Sequence, residues 1–290
     1  MRRLATLLLV LAGLAGCTPV FFQPHSVLVA TPGLYGIDYQ PVEMRAADGT
    51  ALFAWFLPAR GAAKGTVLYL HGNAENISTH FANVGWMPAA GFNVLALDYR
   101  GYGGSEGRPS LPGVQLDIDA AMGALLERAD VDPDRIIVFG QSLGGALAIY
   151  YVAHSRYREH VRADIADSAF ADYRLVAKEK MAAFFVTWPL QWLPQFTVDG
   201  DYSPIASVAA VSPVPLLLIH GERDGVVPPH HSELLFGMAQ QPKALWRIPD
   251  VGHIGALRSR EVRDRLAAFL VEKAARPSTE IATARQPRTR

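Results

Sequence analysis

The chain has 290 residues, half of them apolar, which is enough to bury one large core and excludes a disordered body. Its 27 Lys and Arg balance 27 Asp and Glu, so no net field recruits a nucleic acid, and no nucleic-acid-binding motif accompanies that balance. Cys17 is the only cysteine, which excludes disulfides within the chain.

At the amino terminus, Arg2 and Arg3 precede an apolar stretch, residues 4–16, too short to span a bilayer and of the length of an export signal. Residues 1–16 therefore read as a signal peptide. The stretch ends in Leu14-Ala15-Gly16-Cys17, which resembles the lipobox of bacterial lipoproteins. That resemblance implies cleavage before Cys17, a lipid on its thiol, and a membrane anchor on the cell envelope. The alternative, a leftover thiol after an ordinary signal peptide, would leave an unpaired cysteine in an oxidising compartment. By the same resemblance Thr18, where an aspartate often marks inner-membrane retention, favours the outer membrane. Residues 17–38 then form the anchor and a linker.

Residues 39–58 read as a hairpin, with VEMRA (42–46) and LFAWF (52–56) flanking Asp48-Gly49, a pair suited to the positive φ angles of a tight turn. Apolar runs follow at 66–70, 93–97, 135–139, 161–165, 215–219 and 244–248, separated by segments mostly long enough for helices. This alternation predicts an α/β fold with a mostly parallel sheet covered on both faces and the hairpin at one edge. Chemistry in such a sheet belongs at the carboxyl ends of the strands, where loops converge. There the sequence places His71-Gly72-Asn73, DYRGYGGSEG (98–107), GQSLGG (140–145), HGERDGVVP (220–228) and DVGHIGAL (250–257).

The pattern Gly-x-Ser-x-Gly arises by chance in roughly one such chain in ten, so its surroundings must decide whether Ser142 is a nucleophile or a helix N-cap. A serine hydroxyl is a poor nucleophile until a base takes its proton. His253 is the best-placed base and Asp224, 29 residues before it, the best-placed carboxylate, both in loops after strands. Asp98 and Asp167 also follow apolar runs; Asp98 reads as a brace for the adjacent glycine turn and Asp167 as a possible displaced acid. The order Ser142, Asp224, His253, with LHGNAEN (70–76) and the motifs above, resembles the α/β-hydrolase family over residues 40–272. The likeness is greatest to its small lipase-like subgroup, which includes protein depalmitoylases and serine-aminopeptidase-like members. The resemblance implies that Ser142 attacks, His253 carries the proton, Asp224 orients His253, and the backbone N–H groups of Asn73 and Leu143 form the oxyanion hole, with no metal or redox cofactor.

Gly140 and Gly144 suit a turn too sharp for larger side chains, and Gly145 lets the helix over residues 143–154 approach the strand. His71 and His220 read as structural, and His25, His80, His154 and His160 as surface residues. His230 and His231, adjacent on a helix, should point apart and make a poor metal pair. GYGGSEG (101–107) lacks the Gly-Lys-[Ser/Thr] ending of a phosphate loop and reads as a structural turn.

Residues 169–212 read as a cap insertion within a catalytic domain spanning 39–275. Its stretch MAAFFVTWPLQWLPQF (181–196) is uncharged, and Pro189 and Pro194 interrupt any helix long enough to cross a membrane. Phe184, Phe185, Trp188 and Trp192 are expected to line an apolar entrance for an acyl chain or to pack the cap onto the body. Residues 276–290 lose apolar periodicity and read as a disordered tail. The sequence thus points to a serine hydrolase acting on small or acylated esters or thioesters, with a small-peptide peptidase of the same fold and a non-catalytic envelope binding protein as rivals. No sequence feature specifies an oligomeric state.

Overall fold

Eight strands form one sheet in a computed structural model that describes residues 21–275. They are β1 (Gln40–Arg45), β2 (Ala51–Leu57), β3 (Gly65–Leu70), β4 (Phe92–Asp98), β5 (Ile136–Gln141), β6 (Val161–Asp167), β7 (Leu216–Gly221) and β8 (Lys243–Ile248), in the spatial order β1-β2-β4-β3-β5-β6-β7-β8. The first two pairings are antiparallel and the remaining five parallel, which puts the hairpin at one edge as its alternation requires. Of the Asp48-Gly49 pair, only Gly49 takes the positive φ, 87°. Strands β3 to β7 are buried along their whole length and serve two cores, with Arg162, Asp164 and Asp167 as buried ionisable residues on β6. Along β3, Leu68 and Leu70 enter one core while Val67 and Tyr69 enter the other, the two-residue period of a strand.

Five helices are longer than two turns: α1 (Leu111–Leu126), α2 (Leu143–His154), α4 (His230–Met238) and α5 (Arg260–Ala274) cover the sheet, and α3 (Tyr173–Ala183) opens the cap. Their starts are written locally. Ser110, Asp172 and Ser259 cap α1, α3 and α5 by accepting the backbone N–H groups of Gly113, Leu175 and Val262. Arg100 ties the loop after β4 to α1 and to the hairpin turn, donating to Asp117 and, at 2.7 Å, to Asp48. The cap runs from α3 through short helical turns at Trp188–Leu190, Pro194–Thr197 and Pro204–Ser207. No helix among the described residues is long and apolar enough to cross a membrane.

Residues 21–38 differ from the linker expected of them. They form a strap across the carboxyl rim of the sheet: Phe22 is buried, Asn76 Nδ2 donates to the carbonyls of His25 and Val27, and Ser78 Oγ accepts the Val29 N–H. The strap shows no strand or long-helix periodicity because its backbone is satisfied by rim side chains, by the Gly103 N–H at His25 O and by a single short helical turn at Pro32–Tyr35. The signal peptide assigned to 1–16, the lipidation assigned to Cys17 and the tail at 276–290 lie outside the described residues.

Candidate active site

Ser142 sits between β5 and α2 with φ 53° and ψ −115°, a conformation that costs an L-residue about 1–3 kcal/mol. Its backbone is pinned on both sides, donating to Asp167 O at 2.8 Å and accepting from Ala146 N at 3.1 Å. The glycines around it are dictated by contact. A Cβ at Gly140 would lie 2.1 Å from Gly144 O, and one at Gly144 only 2.0 Å from Leu70 O. Gly144→Ala should therefore lower unfolding stability by about 3 kcal/mol or more, the upper end of overpacking penalties. Gly237→Ala, in α4 where a Cβ meets nothing within 4 Å, should leave stability unchanged or raise it. Urea unfolding of the two variants checks the contrast.

The hydroxyl of Ser142 lies 2.9 Å from His253 Nε2, and His253 Nδ1 lies 2.7 Å from Asp224 Oδ2. The three residues assigned from sequence to nucleophile, base and acid thus meet in one hydrogen-bonded line. Asp224 Oδ1 accepts the N–H groups of Val226 and Val227, at 2.8 and 2.9 Å, and His220 Nε2 stands 3.3 Å from Oδ2. Burial alone would raise the Asp224 carboxyl. Hydrogen bonds from His220 and His253, the charge of His253 and the Val227 N–H outweigh it and hold the group well below the usual carboxylate range.

Asp167, weighed as a displaced acid, is engaged elsewhere. Its oxygens accept Gln141 Nε2 at 2.8 Å and the Ser168 hydroxyl at 3.1 Å. The chain continues on both sides: Tyr69 donates to Gln141 Oε1 at 2.6 Å, and Ser168 Oγ accepts the Ile254 N–H at 3.1 Å. A buried polar network therefore holds the turn that carries His253, with Ile254 at φ 46°. Asp98 braces the glycine turn as expected, accepting the N–H groups of Ile77 and Gly104. Burial pushes its carboxyl up to about 6. His71 is structural too: packed against Tyr99 and Tyr102, it donates from Nδ1 to Gly72 O, and burial pushes it down to about 3.

Asn73 and Leu143 line the cavity beside Ser142, and among the described residues no protein acceptor takes the backbone N–H of either. Both donors are free for a developing oxyanion, and one such donor is worth about 10²–10³ in rate. The Asn73 side chain fixes its own turn, Oδ1 accepting the N–H groups of Gln23 and Ala74 and the Tyr102 hydroxyl.

The cavity above these groups encloses about 640 Å³. Its walls are apolar, with Phe21 from the strap, Phe170, Val176, Met181 and Leu193 from the cap side, and Val227 from the loop after β7. Among the described residues no carboxylate lines it, and Lys180 is its one lysine or arginine. Phe184, Phe185, Trp188 and Trp192 do not line it, contrary to expectation; they are 67, 94, 58 and 55 % exposed. Helix α3 ends at Ala183, so Val176, Ala177 and Met181 form the wall while the aromatic stretch beyond projects outward.

Two histidine assignments also change. His80, taken as a surface residue, is buried in the cavity wall with Nε2 3.3 Å from Ala74 O, because Asn76 caps the short helix Ile77–His80 and turns it inward. Burial lowers its pKa. His230 and His231 do not point apart: their rings stack at 4.6 Å, and both Nε2 atoms lie 2.9 Å from Glu179. Their position in the first turn of α4, facing Glu179 of α3, allows it. These three residues place ligand-type atoms within 4.8 Å of one another. His231 Nδ1 accepts the Ala171 N–H, however, so its neutral ring carries the proton on Nε2 and faces Glu179 as a donor with no lone pair for a cation. The cluster ties the cap to the body.

An open, mostly parallel sheet with a serine on a strand-to-helix elbow, followed in chain order by an acid and a histidine, defines a hydrolase of the α/β type. Residues 61–209 match the family described as Serine aminopeptidase, S33, a stretch that holds Ser142 but ends before Asp224 and His253. Over 248 residues the chain is 39% identical to the uncharacterized protein YfhR of Escherichia coli, covering 82% of this chain and 84% of YfhR. It is 30% identical over 219 residues to protein bem46 of Schizosaccharomyces pombe, covering 74% and 70%. An esterase of Pyrococcus furiosus shares the fold, with a TM-score of 0.69 at 23% identity over 87% of this chain and 97% of the esterase. The chain belongs to the α/β-hydrolase family.

Proposed function

We propose that the protein is a serine esterase or thioesterase of the bacterial cell envelope, anchored through a lipid on Cys17 and working through an acyl-enzyme. The observation that carries the chemistry is the hydrogen-bonded line Ser142–His253–Asp224 at an apolar cavity. His253 takes the hydroxyl proton as Ser142 Oγ attacks the substrate carbonyl, and the oxyanion forms against the N–H groups of Asn73 and Leu143. The imidazolium, stabilised by the Asp224 carboxylate, passes that proton to the departing alcohol or thiol. Water then attacks the acyl-enzyme with His253 again as base, releasing the carboxylic acid and restoring Ser142.

The cavity wall favours esters over peptides with a free amino end. A substrate ammonium held there would need a counter-charge, and among the described residues the wall offers Lys180 and no carboxylate. Aminoacyl amides should accordingly be cleaved far more slowly than simple esters, and faster cleavage of the amides would move the reading to a peptidase. The envelope assignment is supported by Arg2-Arg3, the short apolar stretch and the Cys17 motif.

Acyl preference tests the cavity directly. Each buried methylene contributes up to about 0.8 kcal/mol, so across the four methylenes from acetyl to hexanoyl esters kcat/KM should rise by up to about two orders of magnitude. A flat or falling profile across that panel would reject an acyl-binding cavity.

A further inference from the structure

The cap leaves a surface uncovered that the catalytic reading does not use. Within residues 184–196, Val186 and Phe196 are 83 and 77 % exposed, and Leu190 joins them and the four projecting aromatics. Residues 181–196 contain no charge. Seven large apolar side chains on one short exposed stretch exceed what a soluble surface carries without a partner.

Two further observations identify the partner. Leu193 and Pro194 of this stretch line the catalytic cavity together with Phe21 of the strap. Phe21 lies four residues after Cys17, a length of chain that reaches at most about 14 Å. An anchor at Cys17 therefore holds the cavity close to the bilayer surface on the strap side, where the cap stretch also meets the cavity. Lys178 and Lys180, exposed just before the apolar run, can meet anionic headgroups, while of the acids that flank the run, Asp172, Glu179, Asp199 and Asp201, Asp172 caps α3 and Glu179 is engaged by His230 and His231.

We infer that the cap stretch 184–196 docks into the interfacial layer of an anionic phospholipid bilayer, so that an acyl chain passes from the membrane into the cavity between cap and strap. The inference rests on the anchored ester-hydrolase reading and names its substrate source: acylated molecules resident in the membrane.

The test uses the full chain with vesicles of phosphatidylethanolamine and phosphatidylglycerol carrying brominated acyl chains, reading tryptophan emission per bound molecule. Of the five tryptophans, Trp188 and Trp192 lie on the stretch while Trp55 and Trp246 are buried. Emission should be quenched, and the variant Trp188→Phe with Trp192→Phe should lose that quenching. Phe184→Ser with Phe185→Ser, at positions outside the cavity wall, should reduce hydrolysis of vesicle-embedded esters about tenfold or more while hydrolysis of monomeric esters stays unchanged. Unquenched emission in bound protein, or quenching that survives loss of both tryptophans, overturns the docking. So does concentration-dependent self-association that the Phe184→Ser, Phe185→Ser variant abolishes, which would assign the patch to a second copy. Failure of the anchor is read separately, as an unchanged bound fraction in Cys17→Ser. Failure of the esterase reading appears as absent turnover of monomeric esters.

Discussion

Ser142→Ala should lower kcat by about five orders of magnitude or more and abolish labelling by a fluorophosphonate probe, with KM and the unfolding midpoint little changed. The reason is local. Alanine keeps the Cβ, so the strained φ of 53° and the contacts of Gly140 and Gly144 with the turn survive the substitution. What disappears is the oxygen 2.9 Å from His253 Nε2. The cavity and the free N–H groups of Asn73 and Leu143 stay in place, so a residual rate above that in water, about 10³–10⁴-fold, comes from binding and oxyanion stabilisation alone. Labelling that persists in the variant would mean that another residue attacks. A wild-type protein that never labels would favour the rival reading of a non-catalytic binding protein on this fold.

The parts of this site that could be read in the sequence are those with a local physical signature. Strands β3, β4, β5 and β7 announce themselves because burial on both faces demands near-continuous apolar runs, whereas β6 carries the buried ionisable residues Arg162, Asp164 and Asp167. Ser142, Asp224 and His253 were legible because each follows a strand, and the elbow because only glycine tolerates carbonyl oxygens 2.0–2.1 Å from a Cβ. Side-chain direction beyond a helix end has no such signature. The aromatic stretch after Ala183 is as apolar as a cavity wall, yet termination of α3 turns it outward and leaves Met181 and Leu193 to do the lining. Long-range polar pairing was equally hidden. Nothing near Gln141, Asp167 or Ser168 in the chain signals that they join into a support for the His253 turn, and nothing near His231 signals a bond to Glu179, 52 residues away. The strap was missed for a related reason, since its partners Asn73, Asn76 and Ser78 lie about 50 residues away.

Asp224→Asn is the second large effect, and its direction follows from which oxygen is already committed. Oδ1 accepts two backbone N–H groups, from Val226 and Val227, so an asparagine would keep its carbonyl oxygen there and turn its amide NH₂ toward His253 Nδ1. The imidazole would then have to accept at Nδ1 and carry its proton on Nε2, facing the Ser142 hydroxyl as a donor instead of a base. A loss of about 10⁴ in kcat is expected from this reversed tautomer. Stability should change with a defined pH dependence. The folded carboxyl is held below its unfolded value of about 4, so its contribution is fully present above pH about 4 and disappears as pH falls through the folded pKa. The destabilisation caused by Asp224→Asn should therefore be constant from pH 5 upward and shrink in stronger acid, as urea titrations of both proteins across about pH 3 to 7 will show. Activity within tenfold of the parent would transfer the role of acid to Asp167, whose oxygens are occupied by Gln141 and Ser168. That outcome would require the network behind His253 to rearrange, and Asp167→Asn in the same background would then extinguish the remaining rate.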